Sequence, residues 1–426
     1  MRSLICFELK KIITRKSTWV SAVALYALLC VLMAANILQA VAYDNETGQR
    51  YSGLTAINYE KSIVKPHAGL LTPQLISEEI TGYQQEAFAT VSPQEVVDLS
   101  SAAAYDLMEE LLPAAECARL QSPYYGYLLS PWAQNGSGAF QTAARMQLDG
   151  TDPSTFYEAL QAKTLRQLDA GLDPSSAAPL TNAEYDFWKQ KVEALPTPFE
   201  YGYAGGWQDL LNCLSFLVFG MLAICIGLTP VFCGEYAART DAVLLATRYG
   251  RTRLIAAKVA ASLLFATAYY LLYAATIAGI ILACYGTDGA HLPIQVLVST
   301  SPYNITVSQA VWLGMGVSYV MTLGFTGLTL LLSSRLRSQV AVFAIDACLL
   351  LITGFVGTSA KGLLLKLFSL FPINGLSVGV LVKNFLSYSA GPLLLEPATA
   401  IALTWLVAAT AGFAAAALIF RRHQVA

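Results

Sequence analysis

The sequence predicts an all-α polytopic membrane protein. Six transmembrane helices carry a large, mostly helical extracytoplasmic domain between the first and second spans. Three observations lead there. The chain is 55% hydrophobic and only 13% charged, against about a quarter charged in ordinary soluble domains. Its apolar residues are gathered into runs long enough for the ~30 Å hydrocarbon core of a bilayer, which takes about 20 helical residues. Its basic residues stand beside the ends of those runs, and Lys and Arg in short flanking loops mark the cytoplasmic side.

Residues 1–18, MRSLICFELKKIITRKST, read as a cytosolic amphipathic elbow helix. Ile5, Leu9, Ile12 and Ile13 share one face at helical spacing, and no small-residue cleavage site follows, so this is not a signal peptide. A plain basic flank ahead of the first span, 19–42, explains the periodicity equally well. From 43 to 206 the chain turns polar and acid-rich, and the basic flank before the first span puts this stretch outside. Thr72-Pro73 and Ser92-Pro93 open helices over PQLISEEITGYQQEAF and PQEVVDLSSAAAYDLMEELL, each with Pro at the first helical position. Tyr124, Tyr127, Trp132, Phe156 and Trp188 are among the rings that supply a core. Most of them read as packing rather than as a ligand site. Cys117 is the one cysteine clearly in this region, so the domain is not built on disulfides.

Spans two, three and four occupy 207–232, 259–285 and 307–332, with an external loop at 286–306. SSRLRSQ is a tight inside turn before a fifth span, 340–356, and a sixth runs over 398–420. Residues 361–395 are apolar but broken by Lys361, Lys366, Pro372, Asn374, Gly375, Lys383 and Gly391-Pro392. Neither half reaches a full crossing, which suits an external or re-entrant helix pair. The inside segments hold just over half of the 26 basic residues but, among acids, only Glu8, Glu235 and Asp241. Both termini are therefore cytoplasmic, and the chain is a multi-pass protein of the cell membrane.

Sites of chemistry are sparse. No phosphate-binding loop, G-x-S-x-G elbow, H-E-x-x-H pair or C-x-x-C motif occurs, and His67, His291 and His423 are far apart. The reading is a non-enzyme with no metal and no cofactor of its own, and its near-neutral charge gives no sign of nucleic acid binding. Asp346 lies nine residues past Arg337, roughly 13 Å up the fifth span at 1.5 Å per residue. It is either a neutral, hydrogen-bonded strut or part of a wet path. Gly324, Gly327, Ala408, Ala411, Gly412 and Ala415 read as close helix packing.

The segment 233–258 between the second and third spans holds Arg239, Arg248, Arg251, Arg253 and Lys258. Ala242, Leu245 and Tyr249, with Leu244 one residue off register, share a face; Asp241 suits a helix start and Gly250 its end. Such a helix either rests on lipid headgroups or docks into a cytosolic partner. Its wording resembles the cytosolic coupling segment of type-2 ABC transporter permeases. Glu235 follows the second span, then come Leu244-Leu245, Thr247 and the Gly250-Arg251 turn, and Lys258 opens the third span. The resemblance also takes in the elbow and the broken segment before the last span. It implies the membrane half of a bacterial ATP-driven exporter, with ATP bound by a separate ABC ATP-binding protein. That partner would receive Leu244, Leu245 and Tyr249 in a cleft rimmed by acids for Arg248 or Arg251. A second permease copy or a related permease would complete the pathway across the lipid bilayer. The large domain departs from the simplest exporters, so the substrate stays open among peptide, lipid and drug-like molecules. The rival reading is a non-transporting membrane sensor or scaffold with a ligand-binding external domain.

Overall fold

The computed structural model describes residues 1–44, 46–134, 136–247, 249–356, 360–391 and 393–422. Among them, five helices are long and apolar enough to cross a membrane: Lys16–Leu38, Gly205–Ala237, Arg253–Tyr285, Val307–Arg335 and Pro397–Arg422. The remaining expected span is the 18-residue helix Gln339–Val356, roughly 27 Å long at 1.5 Å per residue. Its apolar stretch Gln339–Leu351 falls below the length of an unassisted crossing.

Gly205–Ala237 is the hub. Its middle, LVFGMLAICIGL, is apolar all round, the mark of a helix enclosed by others. Lys16–Leu38 lies at the rim, with Trp19 and Val31 turned outward. The hub is broken twice, by a 3-10 turn at Leu214–Phe216 and at Thr229-Pro230, where proline brings no N–H. Ser333 of Val307–Arg335 repairs the second break. Its hydroxyl donates to the Thr229 carbonyl at 2.6 Å and accepts from the Phe232 and Cys233 amides at 3.0 Å. Backbone polar groups left bare inside a membrane bundle must find such partners. Val307–Arg335 also packs hard on Pro397–Arg422. A Cβ on Gly324 would stand 2.4 Å from the Trp405 ring, and one on Gly412 would stand 2.6 Å from Gly327 backbone. The small residues expected to permit close packing do so here.

The 43–206 region has two parts. The first has its own core, including Ile76, Ile80, Tyr83, Leu128 and Phe156. A two-stranded pairing of Gly69–Leu70 with Glu200–Tyr201 ties its entry to its exit. The single helix expected over 93–112 is two, Pro93–Val97 and Ser101–Leu111, because the Ser100 hydroxyl accepts from the Ala103 amide and starts a new helix.

The second part is joined to the membrane bundle. Leu168, Leu180 and Trp188 belong to the bundle's core, and Trp188 packs edge-on against Tyr303 and Phe385. It meets the broken segment, which folds as short helices Leu363–Phe368 and Pro372–Gly375, a π turn at Gly379–Lys383, and a hairpin pairing Tyr388–Ala390 with Leu393–Leu395. The join is polar at its centre. Glu184, 2% exposed, accepts from Lys366 at 2.6 Å and from Ser387 at 2.9 Å through one oxygen. Its other oxygen closes a capping box on Thr181.

Burial alone would raise the Glu184 carboxyl, but Lys366, the Thr181 amide and Ser387 hold it below its ordinary 4.5. A depressed carboxylate contributes stability that is fully present above its ordinary value and is lost as pH falls through the folded value. Protection of Asn182–Glu193 in hydrogen exchange, corrected for intrinsic rates, should therefore decline as pH drops below 4.5. At pH 7, Lys366→Met should lower it roughly tenfold or more, since hydrogen bonds to charged groups contribute about 1.5–3 kcal/mol. Unchanged protection in both cases would show that this anchor does not hold the two parts together.

Candidate functional site

The elbow helix Arg2–Ile13 lies across the start of Arg253–Tyr285, with Ile5, Leu9 and Ile12 against the bundle and Ile13 outward. The same inward face carries an acid, Glu8, only 4% exposed. It meets Lys258, 1% exposed, whose ammonium donates to Glu8 at 3.0 Å, to Glu235 at 2.8 Å and to the Val231 carbonyl at 3.2 Å. All three of its protons are used. Glu235 also accepts from Lys11 and, at 2.6 Å, from the Thr240 hydroxyl. Two carboxylates and two ammonium groups thus balance where unpaired charge would be costly. The cluster joins the elbow, the end of the hub helix, the following loop and the start of the third helix.

Beyond Thr240 the chain forms a helix, Asp241–Ala246, shorter than the expected run to Tyr249. Thr247 is extended, and its hydroxyl donates to the Leu244 carbonyl at 2.7 Å, which ends the helix. Gly250 then folds back so closely that a Cβ there would stand 1.7 Å from the Leu244 oxygen. Only glycine fits that approach. The burial pattern corrects the expected docking face. Leu245, expected to fill a partner's cleft, is 4% exposed and part of the bundle's own core, and Leu244 is half-buried. Val243, 69% exposed, and Tyr249, 43% exposed, face outward, with the Arg253 guanidinium 4.4 Å above the Tyr249 ring. Arg251 is exposed. Arg248 lies outside the described residues.

The sequence singled out Glu235 and Lys258 separately, but not their pairing, nor Glu8, Lys11 and Thr240 as its other members. A signal for Glu8 was present, since it falls between Ile5 and Ile12 on the apolar face at helical spacing. Asp346 is buried and accepts from the Thr329 hydroxyl at 2.9 Å. It makes no ion pair among the described residues. A second polar pair within the helices was not foreseen: Asn36 donates to Asp209 at 2.7 Å, tying the first helix to the hub.

A family model described as "ABC-2 family transporter protein" matches residues 3–422, which takes in the elbow, the four-charge cluster, the 43–206 region and the last helix. No curated protein and no solved structure matches the chain.

Removing one member of a buried ion pair typically costs about 3–5 kcal/mol, because the partner is left uncompensated. Lys258→Met should lower the melting temperature in detergent accordingly. Glu8→Gln combined with Lys258→Met should recover part of the loss, since Glu235 keeps Lys11 and the charges balance again. Strictly additive losses would mean that the charges do not act as one cluster.

Proposed function

We propose, from the premise that the chain belongs to the ABC-2 family of transporter proteins, that this multi-pass permease is the membrane half of an ATP-driven exporter. A separate ABC ATP-binding subunit binds and hydrolyses the ATP. The observation that carries this reading is the attachment of the 241–251 segment. Its exposed side offers Val243 and Tyr249, while its inner side is fixed by Leu245 in the core and by the Thr240–Glu235–Lys258 linkage. A push on the exposed side therefore moves the hub helix, the third helix and the elbow together. Rigid-body rocking of such a bundle is a known form of switching.

The rest of the arrangement follows from the same premise. Gln339–Val356 completes six spans, both termini are cytoplasmic in a bacterial cell membrane, and a second copy or a related permease supplies the other half of the path. The substrate belongs among peptides, lipids and drug-like molecules. Family membership speaks against the sensor or scaffold reading.

The test is association with the ATP-binding protein that co-purifies with the unmodified permease. Buried aromatic anchors in such interfaces contribute about 2 kcal/mol or more. Val243→Asp and Tyr249→Asp should release the subunit, roughly 30-fold by that figure, and leave the permease's own melting temperature unchanged. Leu245→Asp should instead destabilise the permease itself, because it places a charge in the core. Retention of the subunit in both surface variants, or no ATP-binding protein in the unmodified preparation, overturns the reading. Asp346, held by Thr329, serves as a strut in this scheme. Asp346→Asn should support normal assembly and export, and export lost with assembly intact would make it part of the path.

A further inference from the structure

A groove of about 580 Å³ opens between the start of Arg253–Tyr285 and the end of Pro397–Arg422. Ile255, Val259 and Leu263 form one wall, and Phe413, Ala417 and Leu418 the other. Two arginines stand at its rim, Arg251 and Arg421. They come from far apart in sequence. The two helices run in opposite directions, so Arg251, two residues before one helix, and Arg421, the penultimate residue of the other, share an end. Both side chains are exposed, and neither makes an ion pair among the described residues. Lys258, seven residues beyond Arg251, is by contrast saturated with carboxylates.

The dimensions match half a bilayer. Arg253 to Leu263 covers roughly 15 Å along a helix, and Arg421 to Phe413 roughly 12 Å, at 1.5 Å per residue. One leaflet's share of a ~30 Å hydrocarbon core is about 15 Å. The groove therefore presents cationic groups at headgroup level and apolar walls at acyl-chain depth. A second copy of this chain is a poor occupant, because twofold pairing through the groove would bring four guanidinium groups together. Charge complementarity selects an amphiphile with an anionic head, and basic pockets between helices at the cytoplasmic face recognise such heads.

We propose that this groove binds one anionic phospholipid of the adjoining leaflet, its phosphate on Arg251 and Arg421 and an acyl chain along Val259 and Ala417. The inference rests on the multi-pass reading and not on export. Arg251 directly follows the Gly250 turn, so the bound lipid ties the 241–251 segment to the last helix through a headgroup.

The experiment uses purified full-length permease in detergent, titrated with phosphatidylglycerol or with phosphatidylcholine of the same chains. Lipid retained is read by native mass spectrometry, and melting is followed in parallel. Phosphatidylglycerol should be retained and raise the melting temperature, and phosphatidylcholine should do neither. Arg251→Gln with Arg421→Gln should weaken retention roughly 30-fold, at about 1 kcal/mol per arginine near a membrane surface. Ala414→Phe, which narrows the groove and keeps both arginines, should also reduce it. Arg421→Gln alone, outside the 241–251 segment, should keep any ATP-binding subunit bound, so failure here is separable from failure of the coupling reading. Equal retention by all variants overturns the proposal. An equal thermal shift from inorganic phosphate, or a dimer lost in Ala414→Phe with lipid retention unchanged, overturns it too.

Discussion

The burial of one ammonium group, that of Lys258, constrains everything at this end of the molecule. An ammonium taken out of water costs several kcal/mol unless its charge and all its protons are matched. Here the matching groups come from two stretches far apart in sequence: Glu8 on the elbow, and Val231 and Glu235 at the end of the hub helix. None of them reaches Lys258 unless the elbow lies flat across the third helix and the hub helix continues past Pro230. The continuation in turn relies on Ser333 to accept the amides and fill the carbonyl at the proline break. A charge cluster and a single serine, about one helical turn apart along the hub, therefore fix the relative placement of four elements.

What lies above and below this junction differs in kind. Between the fourth and last helices the contact is made by glycines and the Trp405 ring, with no charge to orient it. Packing of this sort depends on close approach alone. At the junction the contact is directional, since each hydrogen bond has a fixed donor and acceptor. The 241–251 segment is accordingly tied to the bundle by directional bonds at one end, while the helices pack by shape further along.

Much of the fold was legible in the sequence because hydrophobic length is a local property. The apolar runs gave the long helices to within a few residues, and Thr72-Pro73 gave a capped helix start. The interruption of the broken segment into short helices was legible from its Pro, Gly and Lys residues alone. Other features depended on tertiary partners and were not. Leu245 fits an outward helical face by spacing, yet it is buried in the bundle's core. The helix end at Ala246 rests on one Thr247 hydroxyl, and propensity does not report a single hydrogen bond. Glu8 looked like an ordinary solvated acid because its counter-charge lies 250 residues away. The 43–206 region read as one domain, although Leu168, Leu180 and Trp188 answer to the membrane bundle.

That division bears on whether the 43–206 region is a detachable module. Its first part closes on itself, with entry and exit strands paired at Gly69–Leu70 and Glu200–Tyr201. Its second part does not, since Leu168, Leu180 and Trp188 find their neighbours in the bundle, and Glu184 finds its cation on the broken segment. Excised as a soluble piece, the region would carry a naked apolar face with an acid stranded in the middle of it. The remaining permease would keep an orphaned lysine where that face had been. The insert and the broken segment therefore depend on each other: a chimera that replaces the insert must bring a counterpart to Lys366, and one that replaces the broken segment a counterpart to Glu184.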